Sequence, residues 1–185
     1  MSRVRLFFKS VTEIVGNDDM GLLILVDEGE QRQLTIPCDR NMLYQFGLRV
    51  QQVPIANQLL PEVLWQVIST QTYLHFEIVI NALIEGRYRA VLYNTETLEP
   101  VAMRISDALL LAYISRIPVF IDEQLMRTQS VAYRKGAQGM AVPVNTLTDE
   151  MLKKAFDKAI SEENYELASH IRDEMKRRRQ SESNG

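Results

Sequence analysis

Three side chains able to do chemistry fall within four positions, Arg104, Ser106 and Asp107, in the stretch RISDALLLAYISRIPVFI. A guanidinium, a hydroxyl and a carboxylate this close can anchor an anion, orient a polar group or pair with one another. The local sequence places them at the mouth of a helix. Ser106 has the hydroxyl of an N-cap, able to accept an N–H that the first turn leaves unpaired. Asp107 follows in that turn, where the positive end of the helix dipole favours a carboxylate. The trio reads equally as a capped helix with a structural ion pair and as a working site. Two further places carry polar groups of interest. Asn57 and Gln58 are adjacent amides, which bond hydrogen but do not titrate. His75 and Glu77 share one face of a strand with Asn81 and Glu85, which makes a solvated sheet face or a reach into a cleft. The single Cys38 excludes an intrachain disulfide, and two histidines cannot build a zinc site without carboxylates.

These groups need a frame. After Asp107 the sequence is apolar with almost no polar break as far as Ile114, so the spacing predicts a helix over Ser106–Ser115 that is buried on every side. Ile117-Pro118 ends it, and Val119–Ile121 reads as a short buried strand. Upstream, Val4 to Val15 alternates in strand fashion, residues Gly16 to Asp19 with Gly21 form a turn cluster, and Gly21 to Val26 is a second strand. Asp27-Glu28-Gly29-Glu30 turns the chain into a third strand, Gln33 to Pro37. Asp39 can cap a helix through Met42, Leu43, Phe46 and Val50. A second helix, Leu59 to Ile68, gathers Leu60, Val63, Leu64 and Val67 on one face, with Trp65 under a loop or at an interface. Tyr73–Ile84 and Arg87–Tyr93 are strands joined by the tight Glu85-Gly86 turn. Thr95–Pro100 turns back into Val101–Met103. The expected class is α+β, a mixed or antiparallel sheet packed on a buried central helix, followed by a C-terminal αα-hairpin.

Arg104-x-Ser106-Asp107-Ala108, the apolar helix, the Ile-Pro step and the short strand together resemble the signature of the bifunctional nuclease domain family. The resemblance covers about the first 130 residues and is strongest from Phe76 to Met126. Leu34-Thr35-Ile36-Pro37 matches the family's Leu-Pro-Ile step after an opening meander. Family members usually carry Asp-Ala-Arg-Pro-Ser-Asp-Ala where this chain has Ala102-Met103-Arg104-Ile105-Ser106-Asp107-Ala108. They carry Thr-His-Asp-Leu where it has Ala56-Asn57-Gln58-Leu59. The resemblance implies an α+β domain with DNase and RNase activity. Phosphodiester hydrolysis needs an activated water and charge stabilisation at phosphate, typically from a divalent metal on carboxylates. The resemblance then assigns Asp107 as catalytic carboxylate and ligand of Mg²⁺ or Mn²⁺, Arg104 as phosphate anchor and Ser106 as orienting hydroxyl. Asn57 and Gln58 become weak substrate contacts. Since neither is a titratable group or a good anionic ligand, activity is expected to be weak or absent.

From Thr128 to Thr148 the pattern is rich in turn residues, which predicts a linker; Arg134-Lys135-Gly136 within it could touch phosphate. The expected units are residues 1–128, a linker over 129–147 and a helical hairpin over 148–180. Thr148 caps its first helix, with Met151, Leu152, Ala155, Phe156, Ala159 and Ile160 on one stripe. Asn164 caps the second, with Tyr165, Ala168, Ile171 and Met175 inward and Lys176–Arg179 at its end. Asn164 to Glu174 resembles the UVR motif of bacterial nucleotide-excision-repair proteins. That likeness implies protein–protein contact through Tyr165, Glu166, Ala168, Ile171, Arg172 and Asp173. The alternative to a nuclease is therefore a non-catalytic binding or scaffold protein acting through the hairpin, which buries its stripe on a partner or on a second copy as a dimer.

Composition narrows the rest. At 46% hydrophobic and 24% charged the chain is globular rather than disordered, and its formal net charge of -3 gives no broad nucleic-acid footprint. MSRVRLFFKS lacks the long apolar run and cleavage site of a signal peptide, and no stretch approaches the roughly 20 apolar residues of a membrane span. The expectation is a cytoplasmic protein without a membrane partner.

Overall fold

The computed structural model describes residues 2–14, 17–71, 75–133, 135, 147 and 149–182. The Arg134-Lys135-Gly136 reading, most of the expected linker and the Thr148 cap lie outside them. The chain divides into two compact units, Met1–Ala82 with Tyr88–Gly136, and Leu83–Arg87 with Ala137–Gly185.

Eight strands build one mixed sheet: β1 Arg3–Ile14, β2 Asn17–Asp27, β3 Arg32–Asp39, β4 Phe76–Ile84, β5 Arg87–Asn94, β6 Pro100–Arg104, β7 Val119–Asp122 and β8 Val131–Ala132, in the order β6-β5-β4-β7-β1-β2-β3-β8. β1, β2 and β3 form the antiparallel meander that their turn signals predict. Asn17 to Asp19, expected in a turn, already belong to β2. β7 runs parallel to β4 and antiparallel to β1, so this short strand joins the two halves of the sheet. β4 is apolar on both faces at Ile78, Val79 and Ile80, all buried, as a strand with cover on both sides must be. The Glu85-Gly86 turn takes the left-handed conformation at both positions, φ 51° and 71°. Glycine meets that demand freely and glutamate at a cost.

The helices of the first unit are α1 Arg40–Val50, α2 Leu60–Gln71, α3 Ile105–Ser115 and α4 Glu123–Gln129, with a 3-10 turn at Pro54–Gln58. Asp39 caps α1 as its sequence suggests, its Oδ1 accepting the Met42 N–H at 2.8 Å. Phe8 of β1, Phe46 of α1 and Tyr113 of α3 share an aromatic cluster, with ring centroids 5.1 to 5.9 Å apart. Burial pushes the Cys38 thiol up to about 12, so this cysteine is an inert part of the core.

Four details differ from the sequence expectation. α3 begins at Ile105 with Arg104 as its cap residue, so Ser106 lies in the first turn, buried, and caps nothing. Full burial holds for Ala108, Leu109 and Leu110, while Leu111 to Ser115 are half-buried. The apolar face of α2 is turned outward, with Leu60, Val63, Leu64, Val67 and Ile68 all exposed, Leu60 by 68%. The inward side carries Glu62, drawn down to Arg49 of α1 by two hydrogen bonds of 2.7 and 2.9 Å. Finally, a seven-residue helix, α4, forms where the sequence pattern predicts none; Asp122 Oδ1 accepts the N–H groups of Gln124 and Leu125 and starts it.

In the second unit, α5 Asp149–Ser161 and α6 Tyr165–Glu182 form the expected hairpin. Leu152, Ala159, Ala168 and Ile171 are its buried core, with Ala155, Phe156 and Met175 against them. Asn164 Oδ1 accepts the Leu167 N–H at 3.2 Å, the predicted cap. Tyr165, expected inward, is 66% exposed, and Ile160 is exposed too. Arg178, within the basic run Lys176–Arg179, is buried and bonds Glu174 at 2.8 Å and Asp149 at 2.9 Å. Burial alone would push the Glu174 carboxyl up, but hydrogen bonds from Arg178 and Arg177, with their charges, outweigh it and hold the carboxyl below its ordinary range. A depressed carboxylate contributes stability at neutral pH that fades as pH falls through the lowered value.

Candidate functional site

Arg104 ends β6 and opens α3, and Asp39 ends β3 and opens α1. Both therefore sit where a strand hands over to a helix. Arg104 Nε donates to Asp107 Oδ2 at 2.9 Å, three residues on along α3. Its Nη2 lies 3.4 Å from the buried Ser106 Oγ and 3.7 Å from Asp39 Oδ2. The guanidinium is thus flanked by two carboxylates from different elements. All three charged side chains are about half exposed or more, so the pairs contribute little to stability, about 0–1 kcal/mol each. A group of charges that stabilises little and faces solvent is available to a ligand.

Asp39 is the member that sequence reading missed. A capping carboxylate spends one oxygen on the helix N–H, and its second oxygen is the one directed at Arg104. The signal was present in Asp39 itself, but its partner is sixty-odd positions away in the chain.

The structure does not bring Asn57 and Gln58 to this place. Asn57 instead lines a cleft of about 440 Å³ with Arg49, Gln52, Val53, Ala56, Glu62, Tyr113, Ile114 and Arg116. None of Arg104, Ser106, Asp107 or Gln58 lines it. Tyr113 and Arg116 belong to the far end of α3, and twelve helical steps separate Arg116 from Arg104, about 18 Å. His75 and Glu77 are likewise engaged elsewhere. Glu77 pairs with Arg3 at 2.5 Å, and His75 Nδ1 lies 3.6 Å from Glu96 at the surface.

Oxygen donors for a hard cation exist at the Arg104 site, in Asp39, Asp107 and the Ser106 hydroxyl. Among the described residues no group of three or more His, Cys, Asp or Glu side chains is close enough to hold a metal alone. Two carboxylates with a hydroxyl suit Mg²⁺ or Mn²⁺, which take one or two carboxylates and complete their shell with water and phosphate oxygens. Among the described residues no helix is long and apolar enough to cross a membrane.

No curated protein matches the chain. The family described as the bifunctional nuclease domain matches residues 23–134. The match takes in β3, the Asn57 cleft, the β4–β5 hairpin and all of Arg104–Asp107, and it spans more than half of the sequence. On that extent, the chain belongs to the bifunctional nuclease domain family.

Proposed function

We propose that the protein binds phosphodiesters of nucleic acid in the cytoplasm at the Asp39–Arg104–Ser106–Asp107 cluster, with slow hydrolysis. The convergence of those four residues at the mouth of α3, inside a nuclease-family domain, carries this reading. Arg104 anchors a phosphate oxygen by charge-assisted hydrogen bonds, and Ser106 orients the same group. Asp107 is the carboxylate for Mg²⁺ or Mn²⁺, with Asp39 on the other side of the guanidinium as a second oxygen donor. When bound, such an ion would supply charge neutralisation at phosphate and a water of lowered pKa. Hydrolysis is slow on this reading because the residues gathered at Arg104 include no histidine to move a proton, and both carboxylates are engaged with the guanidinium. With Mn²⁺ or Mg²⁺, purified protein should cleave single- and double-stranded DNA and RNA at a rate near the limit of detection. Asp107→Asn should bring the rate below detection. Robust cleavage unaffected by Asp107→Asn would sink the assignment.

The second unit supports a further role. Tyr165, Leu167 and Ile160 are exposed on the α5–α6 pair, beside the exposed Arg172–Asp173 pair. A hairpin with two short helices and a small core presents such groups for capture of a protein partner, in the manner of a UVR motif, or of a second copy as a dimer. Glu166, Arg172 and Asp173 would set register, and Ala168 and Ile171 hold the helices together. Deleting the residues after Asn145 should leave the sheet folded and lower the mass in solution from dimer to monomer, read by light scattering. A truncated chain that melts without cooperativity would show that the hairpin belongs to the main core.

A further inference from the structure

The cleft at the far end of α3 has a composition of its own. Its floor is neutral, since the one carboxylate in the lining, Glu62, is bound through both oxygens to Arg49, which is also held by Gln45. Arg49 is therefore spent on structure. What remains is one exposed guanidinium, Arg116, lying 5.5 Å from the centroid of the Tyr113 ring. No carboxylate of the described residues pairs with Arg116. The exposed amides of Asn57 and Gln52 complete the rim. The cleft thus offers one positive charge, a guanidinium lying over a tyrosine ring and two side chains that both donate and accept.

Gln52 and Arg116 are the left-handed residues that close α1 and α3, φ 55° and 63°, the Arg116 N–H bonding the Ala112 carbonyl and the Gln52 N–H the Arg49 carbonyl. These two helix ends place both side chains at the rim of the cleft.

We propose that this cleft is a nucleotide subsite, taking one unstacked nucleotide of a single strand with its base on the Tyr113–Arg116 surface and its edge read by Asn57 and Gln52. The proposal rests on the nucleic-acid reading given above and adds a second contact point to it. A planar ring with an anionic substituent matches every feature of the lining: stacking on tyrosine and guanidinium, amide-to-base hydrogen bonds, and one charge for one phosphate. The cavity volume is within the range of small-molecule sites, enough for one nucleotide and too small for a duplex. A duplex also hides the base faces that the ring and guanidinium would need. The distance to Arg104, about 18 Å along α3, corresponds to roughly five nucleotides at the stacked spacing of 3.4 Å. A strand of ten nucleotides reaches both points with slack, whereas one of three must be fully extended to do so, and the longer one gains by effective concentration.

The test is fluorescence anisotropy with 5′-fluorescein oligouridylates of ten and three nucleotides and a ten-base-pair duplex, with uridine monophosphate as competitor. Metal is left out, so no cleavage intervenes. The ten-mer should bind at least 10-fold more tightly than the three-mer and the duplex. Arg116→Gly removes the guanidinium at a backbone position that glycine favours, so its fold should hold. It should cost about 5- to 100-fold in ten-mer affinity. Arg116→Lys keeps the charge without the plane and should lose nearly as much; Asn57→Ala should lose several-fold. If Arg116→Gly and Asn57→Ala bind the ten-mer like the wild type while Arg104→Ala does not, the subsite is wrong and the phosphodiester reading stands. If the wild type binds neither strand nor duplex, both fall. If uridine monophosphate displaces the ten-mer at the ten-mer's own affinity, the cleft takes a free nucleotide and the strand proposal is overturned.

Discussion

Leu110→Asp is expected to abolish the fold of the first unit. Leu110 is the last fully buried residue on α3, following Ala108 and Leu109, and 7% of it is exposed. A carboxylate there has no partner, and an unpaired buried charge costs more than the total stability of an ordinary domain, about 5–15 kcal/mol. The measurement is circular dichroism with a thermal melt. The variant should be insoluble or melt without a transition, whereas Leu110→Ala should stay folded. The alanine change leaves a cavity worth about 2–5 kcal/mol, a loss of roughly 10 °C in Tm for a chain of this length. A soluble, cooperatively melting Leu110→Asp protein would mean that α3 is not in the core.

The second large effect is expected at Glu62. Its partner Arg49 keeps only 4% of its side chain exposed, and Glu62 keeps 15%. Glu62→Ala would leave that guanidinium buried with the Gln45 carbonyl and amide oxygens alone. Breaking a buried pair from one side costs about 3–5 kcal/mol, and the access that water has through the cleft places this one near the lower figure. The double change Arg49→Met with Glu62→Leu removes both charges and should recover most of the loss. Urea denaturation of the wild type and the two variants measures this. A single and a double variant of equal stability would show that the pair is a surface ornament and that α2 is held by something else.

That pair also explains how much could be read from sequence. Periodicity shows that α2 has an apolar face, but not which way it turns. An ordinary rule would send Leu60, Leu64 and Val67 inward. The Arg49–Glu62 bond reverses it, and the partners lie on different helices. Strands with alternation or flanking turn residues, such as β1 to β3 and the β4–β5 hairpin, were visible because their signals are local. So was the Asp39 cap, which needs only the next three residues. α4 was hidden because seven residues barely hold two turns, too few for a period. The Arg104–Asp107 half of the site could be seen at i,i+3 spacing. The Asp39 half could not, nor could the bond from Arg178 back to Asp149, because both depend on how distant segments meet.

One strand sets the order in which the sheet can assemble. β7 has four residues and lies between β4 and β1, the first parallel to it and the second antiparallel. Leu6 faces Val119 across one ladder and Ile78 faces it across the other. The β1–β2–β3 meander closes through short loops and can form early, since nearby segments meet at little entropic cost. The β4–β5–β6 strands do the same on the other side. Neither half can join the other until residue 122 is available. On a ribosome the chain would therefore hold two open sheet edges, those of β1 and β4, until two-thirds of it had been made. Folding of this domain is a late event set by its shortest internal joint, and the cell's means of shielding exposed edges would act in that interval.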